Sequence, residues 1–379
     1  MGWPGTIRKM IVGTIMMTMA SSNGAAGADA PAPQTLLVIE PSKQYPRNSE
    51  GDVIELKGGR LMLVYTRFTS GGADNSKADL CARTSADGGK TWSDDRIVVP
   101  NEGAENVMSV SIIRLKGDEL LLGYLRKNGW NDCNLYVRRS RDEFGTVSEP
   151  VRATTADGYH VVNNDRVVQL KDGRLLIPAA LHPAPDGTRK SWSGRGVPRA
   201  FLSDDGGKTW QGDKTVVDPP PYRNLTLQEP GIVELRDKRL WMWMRTTHGC
   251  QYGCYSTDRG ETWSAPKPTN IKSPCSPATI ERMPWTGDLL VVFNDHSGLH
   301  PYPKGRRTPL CVAVSKDDGK TWSKSRVIES DPDGHYCYIS MTFVGNRAIL
   351  SYCAGDKKVG GLNRLKVLAL PKEWIYPGK

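Results

Sequence analysis

Four octapeptides of one pattern, S-x-D-x-G-x-T-W, constrain what this chain can fold into more than any other feature. They are SADGGKTW (Ser85 to Trp92), SDDGGKTW (Ser203 to Trp210), STDRGETW (Ser256 to Trp263) and SKDDGKTW (Ser315 to Trp322). A fifth, SRDEFGTV from Ser140 to Val147, keeps the Ser, the Asp and a displaced Gly145 but lacks the Trp. The starts at 85, 140, 203, 256 and 315 lie 53 to 63 residues apart. A period of that size signals blades or solenoid turns. The segments between the octapeptides decide between them. RLMLVYTRF, DELLLGYLRK, GRLLIPAALH, KRLWMWMRTT, GDLLVVFNDH and RAILSYCAG are short apolar runs broken by Gly, Asp and Asn turns. None carries the i, i+3, i+4 spacing of an amphipathic helix. Taken as six inner strands, they predict an all-β, six-bladed β-propeller with four strands per blade.

The octapeptide has a local physical logic. Its Asp can accept backbone N–H bonds inside a hairpin turn, its Gly tolerates positive φ, and its Trp is large enough to pack between blades. These Asp residues are therefore expected to shape turns, and the chemistry must come from elsewhere in the chain.

The N-terminus has the pattern of an export signal. Arg8 and Lys9 precede an apolar run from Met10 to Ala20, and Ala26-Gly27-Ala28 fits a cleavage site. Residues 1–28 are expected to be a signal peptide, and 29–379 a single propeller of about 58 residues per blade. The apolar run is too short for a permanent span, and no other stretch approaches the ~20 residues one needs. A secreted or periplasmic location follows. Export permits disulfides among the eight cysteines, whose pairing spacing alone does not reveal. The net charge of +10 is spread over turns, without a Lys/Arg block. That argues against nucleic acid and suits attraction of acidic sugars. Six dispersed histidines give no zinc pattern, and no metal or cofactor is expected.

The repeated boxes resemble those of the sialidase (neuraminidase) superfamily, the Asp-box or BNR-repeat propellers. The resemblance implies a bacterial exo-α-sialidase-like enzyme. Three arginines from different blades would clamp the substrate carboxylate, an Asp would act as acid/base, and a Tyr paired with a Glu would be the nucleophile. The first arginine matches Arg47 in YPRNSEGDVIEL, although family members often carry R-I-P where this chain has Arg47-Asn48-Ser49. The Asp matches Asp74, eleven residues before Ser85, with Asp79 nearby; Arg67 matches a further active-site arginine. Glu229 and Arg245 occur in the expected order, 16 residues apart, in LTLQEPGIVELRDKRLWMWMRTTHG. The third arginine is Arg307, eight residues before Ser315, or its neighbour Arg306. The nucleophile is Tyr338 or Tyr336, with Ser340 favouring Tyr338. Ser109 stands where many sialidases carry an Asp for a sugar hydroxyl, and Asn106, Asn164, Asp165 and Arg166 are candidates for a different pocket wall.

A tyrosine nucleophile makes electrostatic sense. The anomeric carbon of a sialic acid already bears a carboxylate, which repels a second anion but not a neutral phenol. The function implied is retaining exo-hydrolysis of a terminal sialic acid or related acidic nonulosonate from glycoconjugates, by a monomer. Alternatives are a glycosidase or lyase for another acidic polysaccharide, and a non-catalytic glycan-binding propeller.

Overall fold

The structure is a computed structural model that describes residues 1–2, 31–217 and 224–376. The predicted signal peptide lies outside the described residues. Contacts divide the chain into Met1–Ala30 and Pro31–Lys379, and all the strands fall in the second unit. Its only helix among the described residues is the four-residue Lys372–Ile375. No helix there is long and apolar enough to cross a membrane.

Strand pairing groups the chain into six antiparallel units of four, the blades of a propeller. Blade I is Arg47–Glu55, Leu61–Phe68, Ala78–Ser85 and Arg96–Val99. Blade II is Asn106–Arg114, Leu120–Gly129, Asp132–Ser140 and Val151–Arg152. Blade III is Val168–Gln169, Leu175–His182, Val197–Ser203 and Gln211–Gly212. Blade IV is Gln228–Glu234, Leu240–Arg245, Cys250–Ser256 and Lys267–Lys272. Blade V is Thr279–Arg282, Leu289–Asn294, Leu310–Ser315 and Arg326–Glu329. Blade VI is His335–Val344, Arg347–Gly355 and Leu365–Pro371, completed by the N-terminal Gln34–Ile39.

The six apolar segments picked from the sequence occupy the second strand of each blade. The first strands of blades IV, V, VI, I and II contact one another in turn and so lie nearest the axis. Arg47–Glu55, which reads RNSEGDVIE, is too polar for apolarity to find. A further strand, Gly158–Val161, pairs parallel with Asp132–Cys133 and antiparallel with residues 180–182, joining blades II and III into one sheet.

The core is a ring of apolar clusters between blades. One cluster joins I to II through Ile54, Met62, Val110 and Leu122. Another joins VI to I through Leu36, Ile349, Leu63 and Tyr65. Corresponding clusters fill the II–III, III–IV, IV–V and V–VI seams. The box tryptophans sit in these seams. Trp92 packs on the VI–I cluster and donates to the Leu36 carbonyl at 3.2 Å; Trp322 packs on the IV–V cluster.

Each box closes the turn after a blade's third strand. Asp87 accepts from Lys90 N (3.0 Å), Thr91 N (2.9 Å) and Thr91 Oγ1 (2.7 Å), while Ser85 Oγ accepts from Gly89 N at 2.8 Å. The degenerate box keeps this network: Asp142 accepts from Thr146 N and Oγ1, and Ser140 Oγ from Phe144 N. Phe144 takes the glycine's place at φ 63° and buries its ring in the I–II seam. These hydrogen bonds hold the box carboxyls below their usual range, with Asp317 near 2.

Candidate active site

Four first strands break register at one point each. The breaks fall at Ser49/Asp52, Met108/Ser111, Gln228/Gly231 and Cys337/Ser340. Within each break one non-glycine residue has positive φ: Glu50 (50°), Ser109 (60°), Glu229 (48°) and Tyr338 (56°). A β-bulge re-aims the extra residue, and left-handed backbone at a non-glycine costs ~1–3 kcal/mol unless its surroundings hold it. All four line one open pocket, together with Asp74, Met108, Tyr159, Asn163, His182, Trp192, Gln228 and Arg245. The bulges thus turn four backbone irregularities into one convergent site.

At its centre the Tyr338 hydroxyl donates to Glu229 Oε1 at 3.2 Å. Glu229 Oε2 is 2.9 Å from Arg245 Nη1, and Arg245 also donates to Gln228 Oε1 through Nε (2.9 Å) and Nη2 (2.6 Å). The Arg307 guanidinium lies 5.5 Å from the Tyr338 ring centroid. Burial and then the Glu229 anion push the phenol well above its ordinary range; Arg307 and Arg245 pull it back. The tyrosine is therefore neutral at rest, with a base on its proton and two cations placed to receive phenolate charge. Of the competing residues, Tyr336 packs instead in the V–VI seam. Arg307, whose carbonyl accepts from Tyr336 N at 2.9 Å, is the arginine over the tyrosine.

Arg47 holds the other side. It is buried beneath Phe68, its guanidinium 4.4 Å from the ring centroid. It donates to Asp74 Oδ1 (2.5 Å), the Gly72 carbonyl (3.2 Å), Glu50 Oε1 (3.2 Å) and Ser49 Oγ (2.9 Å). Partial desolvation works to raise the Asp74 carboxyl, but Arg47, with Lys127 and Arg245, outweighs it and holds the group below its usual range. The Asp74 side chain is still 66% exposed, at the mouth of the pocket.

Several residues matched from sequence do not meet the pocket. Arg67 follows strand alternation onto the face of blade I opposite Phe68 and Arg47. There it pairs with Asp95 at 3.3 Å and stacks 4.1 Å over Tyr45. Asp165 has its carboxylate on Met341 N at 2.9 Å and lines a second cavity with Asp52 and Glu281. Arg166 is buried and spends its donors on the carbonyls of Asn164, Asp165 and Ala278, tying blade III to blade V. Asn164 likewise bridges the carbonyls of Gly51 and Tyr338. Asn106 is fully buried beneath the Asp74 loop, donating to the carbonyls of Asp74 and Ser76 at 2.9 Å each. It positions that loop instead of forming a wall.

The sequence reading missed Glu50, Tyr159, His182 and Trp192. Trp192 stacks on His182 (4.8 Å) and Tyr159 on Trp130 (5.5 Å), making one aromatic wall. Glu50, three residues beyond Arg47, was the one with a visible signal: an acid where the polar first strand opens. All eight cysteines are free thiols, seven of them buried. The ligand atoms of Asp295, His300 and Cys311 lie within 4.8 Å of one another in blade V, with Ser325 Oγ bonded to both Asp295 and His300.

Fold and site together define a sialidase-superfamily propeller. The BNR repeat-like domain family matches residues 59–350, and the chain belongs to it. A curated relative, a sialidase of Bacteroides fragilis, is 24% identical over 332 residues, 77% of this chain and 57% of the relative. The chain thus spans little more than half of that relative's length. Among solved structures, a protein of unknown function from Dyadobacter fermentans superposes with TM-score 0.69 at 16% identity, covering 90% of this chain and 100% of that one. The NanB sialidase of Streptococcus pneumoniae superposes with TM-score 0.68 at 14% identity, over 90% of this chain and 71% of that one. A leech intramolecular trans-sialidase gives 0.68 at 13%, over 91% and 71%. At these identities the structures speak to the fold alone.

Proposed function

We propose that this protein is an exo-acting, retaining glycoside hydrolase that removes a terminal sialic acid or related acidic nonulosonate. The observation that carries the reading is the Tyr338–Glu229 hydrogen bond of 3.2 Å, flanked by Arg245 and Arg307, with Asp74 on the same pocket. Arg47, Arg245 and Arg307 bind the substrate carboxylate; guanidinium forks suit that geometry. Tyr338 Oη attacks the anomeric carbon as its proton passes to Glu229 Oε1, and the two arginines stabilise the developing phenolate. Asp74 protonates the departing glycosidic oxygen, then takes a proton from the water that cleaves the glycosyl–tyrosine bond. A substrate carboxylate competes with Asp74 for Arg47. Loading the site therefore frees Asp74 from the cation that holds it ionised, which favours its acid form.

Ser109, which stands where many sialidases carry an Asp, favours a second reading in which the sugar is a different acidic monosaccharide. The same chemistry would serve it. Export to the periplasm or beyond, through residues 1–28, and action as a monomer belong to the same proposal.

The test is release of a fluorogenic aglycone from a sialoside, followed by a panel of acidic glycans. Tyr338→Phe is expected to lower turnover by at least about a thousandfold, the scale of losing a nucleophile. Full activity in that variant refutes the mechanism. Release from another acidic glycan but not from the sialoside selects the second reading, and release from neither leaves a binding module.

A further inference from the structure

Glu50 is a third carboxylate in a pocket whose chemistry needs two. Its bulge aims it inward, it is 4% exposed, and its Oε1 accepts from Arg47 Nη2 at 3.2 Å. Ser49 Oγ contacts its other oxygen at 3.4 Å. From other elements it faces Asp74 on the blade I loop, Glu229 on blade IV, Cys337 and Cys353 on blade VI, and Tyr159 on the bridging strand. The carboxylates and guanidinium groups gathered here match three to three, and the Cys337 thiol, which Cys353 and Arg307 hold well below its ordinary range against burial, is a further place for negative charge. Arg47, Arg245 and Arg307 stand against Glu50, Asp74 and Glu229, and nearby Lys127 is matched by Glu105 at 3.2 Å. A ligand carboxylate entering this set adds an uncompensated buried anion, which a proton removes.

We infer that Glu50 is a specificity-determining residue that makes uptake of a carboxylated sugar proton-linked: the ligand enters with one proton, which Glu50 carries. This rests on the proposed reading that the ligand bears a carboxylate. Asp74 is the rival carrier, but against partial desolvation Arg47 holds its carboxyl below the usual range, and its side chain is largely exposed. Losing Arg47 only returns it towards an ordinary carboxyl, still mostly ionised at pH 8, whereas Glu50 is enclosed. The resting state agrees: burial, opposed by Arg47, pushes the Glu50 carboxyl up to about 7. Below that pH the proton is already in place. Above it, each bound ligand must draw one from solution, and the affinity falls about tenfold per pH unit. The device selects against dianionic sugars and for mildly acidic conditions.

Calorimetric titration with 2-deoxy-2,3-didehydro-N-acetylneuraminic acid at pH 8, in phosphate and in Tris, counts protons taken up through the buffers' different ionisation heats. The wild type is expected to take up close to one proton per ligand. Glu50→Gln is expected to take up essentially none, to bind at least as tightly at pH 8, and to show a Kd that is flat between pH 7 and 8.5. Asp74→Asn is expected to retain the uptake, which keeps the test decisive if the glutamine variant does not fold. Binding by the wild type without proton uptake overturns the inference and leaves the proposed function standing. So does uptake that survives in Glu50→Gln or disappears in Asp74→Asn. Failure of every form to bind the ligand overturns both.

Discussion

Replacing Asn106 with alanine tests whether the loop carrying Asp74 is held from below. The amide donates two partly buried hydrogen bonds, to the carbonyls of Asp74 and Ser76. Each such bond is worth ~0.5–1.5 kcal/mol net. The Asp74 carbonyl keeps a second donor in Lys127 Nζ at 3.3 Å, which softens the loss at that end. A total near 2 kcal/mol is therefore reasonable, roughly a 30-fold shift in the opening equilibrium of the loop. The loop's own bonds (Thr69 N to Lys77 O, Ser76 N to Ala73 O, Lys77 N to Ser70 Oγ) supply the probes. In native-state hydrogen exchange the Thr69, Ser76 and Lys77 amides should exchange roughly 30-fold faster in Asn106→Ala, while amides of blades IV and V that exchange by local opening keep their rates. On a fluorogenic sialoside kcat should fall more than KM rises, because the acid is misplaced and the carboxylate clamp remains. Unchanged protection of these three amides would show that Asn106 does not hold the loop, whatever happens to activity.

Arg67→Ala should leave KM within about threefold of wild type yet lower stability by ~1–2 kcal/mol in urea melts, because it loses a partly buried pair with Asp95 and stacking on Tyr45. A large rise in KM would place Arg67 back in the pocket. Gly231→Ala should destabilise by ~1–3 kcal/mol or more, since its Cβ would stand 2.2 Å from Trp243 Cζ2 in a packed seam; wild-type melting temperature would refute that packing. Box aspartates give a pH signature. Asp205 and Asp317 are pushed down to about 2 when folded, against ~3.9 when unfolded. Their contribution is thus fully present above about pH 4 and is lost as pH falls towards 2. Acid melts should lose part of that dependence in Asp205→Asn/Asp317→Asn, and an identical pH profile would contradict the turn-capping role.

Much of the site was legible because three of its elements are local. Asp74 and Arg307 are matched by resemblance at distances counted from a box, and Arg245, matched in the same way, ends an apolar run with a strand-final cation. Glu229 and Tyr338 were found by resemblance, but nothing in QEPG or CYIS announces a bulge with positive φ at an acid or a tyrosine. Arg67 misses the pocket because a strand sends neighbours to opposite faces. The face is set by the partner strand and by the seam behind it. Asp165 and Arg166 lie instead in the bend between Gly158–Val161 and Val168–Gln169, where Asp165 at φ 56° and the carbonyl partners of Arg166 direct both side chains elsewhere. Asn106 was misassigned because a buried amide serving backbone carbonyls has the same sequence appearance as one serving a ligand.

What the sequence determined by itself was the repeat: five hairpins whose Asp, Ser and Thr close the same turn, spaced so that four strands fit between them. That follows from bonds within eight residues, so it needs no tertiary knowledge, and it survives even where Phe144 replaces the glycine. Only the tertiary structure decided which polar residues share a pocket. Convergence there depends on bulges, strand register and the packing of blades that are distant in the chain. Glu229 and Tyr338 are 109 residues apart and meet only because the ring of seams brings blades IV and VI to one axis.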